Sequence, residues 1–136
     1  MYCDTDSIIY VSRPEEYEPV LGNYLGQFTN EIDDGYIEEF VSAGPKNYAY
    51  KLSTGKTHCT IKGFTQNHLT SLKLNYDTIK DIVCENQEKK IVVDQLKFTK
   101  NKKDWKIKTN IEKKNYGFVY DKRALFEDLT KLPFGY

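Results

Sequence analysis

The sequence predicts an α+β domain of small antiparallel sheets with few helices, and three observations predict it. Segments rich in β-branched and aromatic residues crowd between 36 and 64, with Ser53-Thr54-Gly55-Lys56 between two of them as a hairpin turn. Asn75, a good helix N-cap, precedes apolar residues at helical spacing. From Leu96 to Ile111 apolar residues alternate with lysines and other polar residues, the period of a strand.

The first element is the apolar run Ile8-Ile9-Tyr10-Val11, which ends before a turn at Arg13-Pro14-Glu15-Glu16. Leu21, Tyr24, Leu25, Phe28 and Ile32 fall at i, i+3, i+4, i+7 and i+11, so the spacing predicts a helix over 21–32, closed by Asp33-Asp34-Gly35, that covers a sheet. That sheet is expected from strands at 36–42, 47–52 and 57–64. A second helix should run from Asn75 with Tyr76, Ile79, Ile82 and Val83 inward and stop before Asn86. The last pattern reads as a β-ribbon, with Trp105, Ile107 and Ile111 on one face, Lys106, Lys108 and Asn110 on the other, and 100–104 as its tip.

Bulk properties narrow the class. At 136 residues the chain is one ordinary domain in size, and a domain of that length buries roughly 68 to 70% of its unfolded surface. No run approaches the ~20 apolar residues that span a bilayer, so no membrane partner is expected, and neither a signal nor a transit peptide is legible. Cys3, Cys59 and Cys84 are odd in number, far apart and without a CxxC pair; this favours a reducing compartment and argues against structural zinc. Net charge is zero, yet residues 1 to 88 hold 7 Lys+Arg against 14 Asp+Glu, and residues 89 to 123 hold 12 against 4. The basic part would attract polyanions and the acidic part cations, although a solvated lysine surface gives the same count.

Asp4 and Asp6 stand one residue apart at the mouth of the first apolar run. On a strand they would share a side with Cα atoms about 6.6 Å apart. Carboxylates so close repel unless a cation neutralises them, and Mg²⁺ suits the task because it takes hard oxygen ligands and keeps several waters. A bare Asp-Thr-Asp also fits an Asx-turn with both acids in water.

The longer string YCDTDSIIY closely resembles the metal-binding YxDTDS motif of family B DNA polymerases, a β-hairpin turn in the palm domain. Gly44-Pro45-Lys46-Asn47-Tyr48-Ala49-Tyr50-Lys51 is similar to the Lys-x-Tyr element that follows it in the protein-primed branch, and Lys62-Gly63-Phe64-Thr65-Gln66-Asn67 to the segment beyond. The ending, Tyr120-Asp121-Lys122-Arg123 through Leu132-Pro133-Phe134-Gly135-Tyr136, resembles the C-termini of polymerases of Polinton/Maverick transposons and related viruses. Cys3 departs from the Gly usual in cellular enzymes, a position where protein-primed members accept other residues.

The resemblance implies a partial palm over 1–72 and a small β-rich, thumb-like DNA-binding region over 73–136. It implies a DNA-directed DNA polymerase that transfers a nucleotide from a dNTP to a primer 3′-hydroxyl with two Mg²⁺ ions. Asp6 would be the principal carboxylate ligand and Asp4 an auxiliary one. Lys46 and Tyr48 would hold the primer terminus, while Lys97, Lys106 and Lys108 would meet duplex phosphates, helped by Lys100, Lys102 and Lys103 at the tip. Read alone, Lys46 is a sheet-edge lysine and Tyr48 a packing residue. Trp105 could stack on a base, but its apolar face-mates predict a core position.

The family's second aspartate, from a DxxSLYP-like motif, and its nucleotide-binding helix are not in these residues. The expectation is therefore the last part of a longer polymerase, inactive alone, whose partners are primer-template DNA, dNTP, the N-terminal part of the enzyme and a terminal priming protein. The alternative is a non-catalytic DNA-binding remnant that keeps the ribbon. A metal-dependent phosphohydrolase using Asp4 and Asp6 lacks a completing acid or histidine cluster.

Overall fold

The computed structural model describes residues 2–119, 123–126 and 130–133. The fold is α+β, with four small antiparallel sheets and two helices among the described residues. A hairpin of β1 (Tyr2–Asp4) and β2 (Ser7–Ile9) opens the chain. The central sheet has the order β3 (Ile37–Ser42), β4 (Asn47–Leu52), β5 (Thr57–Ile61). Helices α1 (His68–Lys73) and α2 (Tyr76–Cys84) follow, then the ribbon of β6 (Ile91–Lys100) and β7 (Ile107–Tyr116). A short pair, β8 (Arg123–Leu125) and β9 (Lys131–Pro133), comes last. Much of the sequence ending likened to polymerase C-termini lies outside the described residues.

The central sheet forms as its alternation dictates. Val41, Ala49 and Ile61 point to one face and are buried there, with Cys59 half-buried beside them. Its turn closes with Leu52 N–H on Lys56 O and Gly55 N–H on Leu52 O, and Gly55 takes φ +84, which a residue with a Cβ adopts at a cost. Helix α2 covers this face. Its N-cap is Asn75, whose Oδ1 accepts from Thr78 N–H at 3.0 Å, and Asp77 sits in the first turn against the helix dipole. Ile79 and Ile82 are fully buried and Tyr76 nearly so. Burial of each isoleucine contributes about 1.5–3 kcal/mol relative to exposure.

The core continues into the ribbon. Val93 and Tyr116 join Leu74, Ile79 and Ile82 in one cluster with the sheet, and the Phe64 ring meets Tyr116 edge-on at 5.8 Å. Polar ties pin the ribbon's base: Gln95 Nε2 donates to Thr65 O, Lys73 Nζ to Val92 O and Lys114 Nζ to Gly63 O. The core thus draws on residues from both 1–72 and 73–136.

Two expectations fail. No helix forms over 21–32; Leu25 is fully exposed and Tyr24 80% exposed. Phe28 N–H bonds Val20 O and Gly22 N–H bonds Phe28 O, closing a loop in which Gly26 takes φ +88. Gly22 and Gly26 each cost a helix about 1 kcal/mol relative to Ala, and the five apolar residues found no surface to repay it, because α2 covers the sheet instead. Trp105 is also not in the core: it is 71% exposed at the ribbon tip with φ 56. Helix α1 is the element the spacing did not foretell. Its Leu69 and Leu72 face water while Thr70 is buried, so its apolar pattern points the wrong way.

Candidate functional site

Thr5 and Asp6 are the two residues joining β1 to β2, with Asp4 paired to Ser7 across the ladder. Thr5 takes φ 56, unusual for a β-branched residue. Its hydroxyl donates to Asp4 Oδ1 at 3.3 Å, and Ser7 Oγ donates to Asp4 O at 3.1 Å. Asp4 is half-buried and Asp6 exposed.

The central sheet supplies the other half of the site. Strand alternation turns Tyr48 and Tyr50 away from α2, onto the face shared with Phe40 and His58. Tyr2 of the hairpin packs there, its ring 5.4 Å from Phe40 and 5.0 Å from Tyr48. Tyr48 and Tyr50 stack at 6.4 Å, and Tyr50 and His58 at 4.9 Å. The sheet therefore lies between a helix on one side and the acid-bearing hairpin on the other.

Lys46 joins the two halves. It sits in the turn before β4 with φ 59, a left-handed conformation fixed from both sides: its N–H donates to the Tyr2 hydroxyl at 2.9 Å, and its carbonyl accepts from Lys62 N–H at 2.9 Å. Its ammonium stands 3.3 Å from Asp4 Oδ1. Thus Lys46 meets both Asp4 and Tyr2, and Tyr2 in turn packs on Tyr48. Asp6 shares the turn but has no side-chain partner among the described residues.

Tyr2 is the residue of the candidate site that sequence reasoning missed. Its signal was present, since Tyr2 and Asp4 are two apart on β1 and so share a face.

The donors at the turn are carboxylate oxygens with hydroxyls beside them, a hard set suited to Mg²⁺. Among the described residues no group of three or more His, Cys, Asp and Glu gathers to hold a metal. A cation here would keep most of its shell as water or take ligands from elsewhere.

The ribbon lysines are only partly available. Lys97 Nζ is 3.2 Å from Glu112 and Lys108 Nζ is 3.3 Å from Asp104. Lys106 is exposed; its N–H donates to Asp104 Oδ1 and its carbonyl accepts from Asn101. Lys102 and Lys103 are exposed at the tip, and Lys100 holds its ammonium 4.3 Å from the centre of the Trp105 ring. Register puts Lys97 and Lys108 on one ribbon face and Lys100 on the opposite one.

No protein-family model matches the chain, and neither a curated protein nor a solved structure matches it.

Proposed function

We propose that the chain is the C-terminal palm portion and thumb-like region of a family B DNA polymerase, adding nucleotides to a primer 3′-hydroxyl together with an aspartate and fingers outside these residues. The observation that carries this reading is the contact of Lys46 with Asp4. The YxDTDS and Lys-x-Tyr elements, far apart in the chain, form one site in which Tyr2 touches Lys46 and Tyr48.

Each residue has a role that follows from its setting. Asp6, exposed and without a side-chain partner among the described residues, is free to ligate Mg²⁺; Asp4, oriented by Thr5 and Lys46, adds negative charge beside it. When bound, two Mg²⁺ ions lower the hydroxyl pKa and stabilise the leaving pyrophosphate. Lys46, its backbone locked, presents a positive charge to a primer phosphate, and Tyr48, held in the aromatic cluster beside Tyr2, helps hold the primer terminus. Most of the rate then comes from positioning and charge neutralisation. The exposed ribbon lysines bind duplex phosphates without regard to sequence.

A non-catalytic DNA-binding protein is the second reading, favoured by the same ion pair: Lys46 already neutralises Asp4, so a metal is not required to relieve that acid. Mn²⁺, replacing Mg²⁺, separates the two. Paramagnetic broadening of the Asp4–Ser7 amide signals, abolished by Asp6→Asn, supports the metal role. Primer extension by the chain combined with the upstream palm and fingers, lost in Asp6→Asn with duplex affinity intact, supports the polymerase. Extension undiminished in Asp6→Asn refutes it.

A further inference from the structure

One face of the β6–β7 ribbon carries most of its exposed apolar residues and is uncovered among the described residues. Register aligns Leu96 with Ile111 and Lys100 with Ile107, so Val92, Leu96, Phe98, Ile107 and Ile111 share this face, with Trp105 at the tip. Leu96, Phe98, Ile107 and Ile111 are each 67–76% exposed. Phe98 and Trp105 are aromatic side chains of about 150–250 Å² each and the four aliphatic ones about 60–120 Å² each, so at these exposures the uncovered apolar area is on the order of 500 Å². That is in the upper part of the ~300–600 Å² of the largest apolar patch on a typical monomer, and more than half of the ~800 Å² that each partner contributes to a standard interface.

We propose that this face is covered by the same face of a second copy of the chain, in a closed twofold dimer. The charges at its two ends say which partner fits. Asp94 lies on this face three positions before Lys97, and Lys100 three positions after it. Asp94 faces Lys113 directly across the ladder without closing an ion pair, and among the described residues the Lys100 ammonium rests on Trp105 without a carboxylate. A twofold axis crossing the ribbon at the paired Lys97 and Asn110 lays Asp94 of each copy over Lys100 of the other. It also sets Leu96 against Phe98, and the aliphatic stem of Lys113 against Ile107. The surface is thus complementary to itself, and an isologous contact of this kind closes at two copies. Adding a strand to the ribbon edge would leave the apolar face in water. The face with Lys97 and Lys108 stays outward, so the dimer leaves those two lysines to a duplex and takes only Lys100 from the tip.

Sedimentation velocity of the whole chain, without metal or DNA, tests the proposal. With rising concentration the mass should move from 15.9 kDa toward twice that value. Leu96→Glu with Phe98→Glu, at positions already exposed, should leave the circular dichroism unchanged and the chain monomeric throughout. Asp94→Lys or Lys100→Asp alone should weaken association by on the order of tenfold or more, because each creates two like-charge contacts per dimer. The two together should restore it to within a few-fold. A wild-type chain that stays monomeric, a dimer that survives the double glutamate variant, an unrescued charge swap or open-ended polymers would each overturn the proposal. None of these outcomes bears on Asp4 or Lys46.

Discussion

Lys46 is held against the acid hairpin twice, by its ammonium on the Asp4 carboxylate at 3.3 Å and by its backbone N–H on the Tyr2 hydroxyl at 2.9 Å. Only the first contact depends on charge. The two can therefore be removed separately.

Lys46→Ala deletes the ion pair and keeps the backbone bond. More than half of the Lys46 side chain is exposed, so the stability cost should stay within about 1 kcal/mol, the range of solvent-screened pairs. Tyr2→Phe should cost about 0.5–1.5 kcal/mol through the lost hydrogen bond. Urea unfolding measures both. Duplex affinity, read by fluorescence anisotropy, should fall in Lys46→Ala and hold in Tyr2→Phe.

Thr5→Gly should stabilise the protein by about 0.5–1 kcal/mol, since a β-branched residue at positive φ carries strain that glycine does not, offset in part by glycine's unfolded-state entropy. Thermal melting reads the shift. If the reading of this turn as a metal site holds, the looser backbone should also weaken Mn²⁺ broadening at Asp6.

Burial pushes the Cys59 thiol up to about 11 and the Tyr116 phenol up to about 12. Both are raised above their unfolded values, so their contribution to stability is complete below about pH 8.5. It is lost as pH climbs through 11 and 12. The Tyr116 hydroxyl has no hydrogen-bond partner among the described residues. Tyr116→Phe should thus be neutral or stabilising by up to about 1 kcal/mol at pH 7, and its alkaline unfolding limb should be shallower between pH 10 and 12.

Replacing Lys97, Lys106 and Lys108 by Ala should weaken duplex binding uniformly across sequences and reduce the slope of log K against log salt by roughly 1 per lysine. Glu112→Gln, which frees Lys97, should strengthen binding. An unchanged slope would make these lysines ordinary surface charges.

Short-range chemistry was legible in the sequence. The Gly55 turn, the Asn75 cap and the alternation of β3 to β5 and β6 to β7 are local, and each appears where its residues require. The stripe at 21–32 and the face-mates of Trp105 were misleading for a common reason: periodicity says which residues share a face, not what that face meets. Helix α2 had already filled the surface that the first stripe would have covered, and nothing among the described residues packs on the second. Within the site, the acid pair and Lys46 each stood out alone. Their contact depends on Tyr2 docking across the sheet, a long-range event that spacing does not encode.

From Tyr10 to Tyr36 the chain forms no helix, and its one bridge joins Leu21 to Phe28. The acid hairpin shares no ladder with the central sheet; side chains and one backbone bond dock it there. This stretch is therefore a tether, and it supplies the hairpin at an effective concentration in the millimolar range typical of short connections. Nicking it near Gly26 would turn a built-in part into a separable ligand, leaving a two-piece protein in which occupancy of the sheet by the acids depends on dilution.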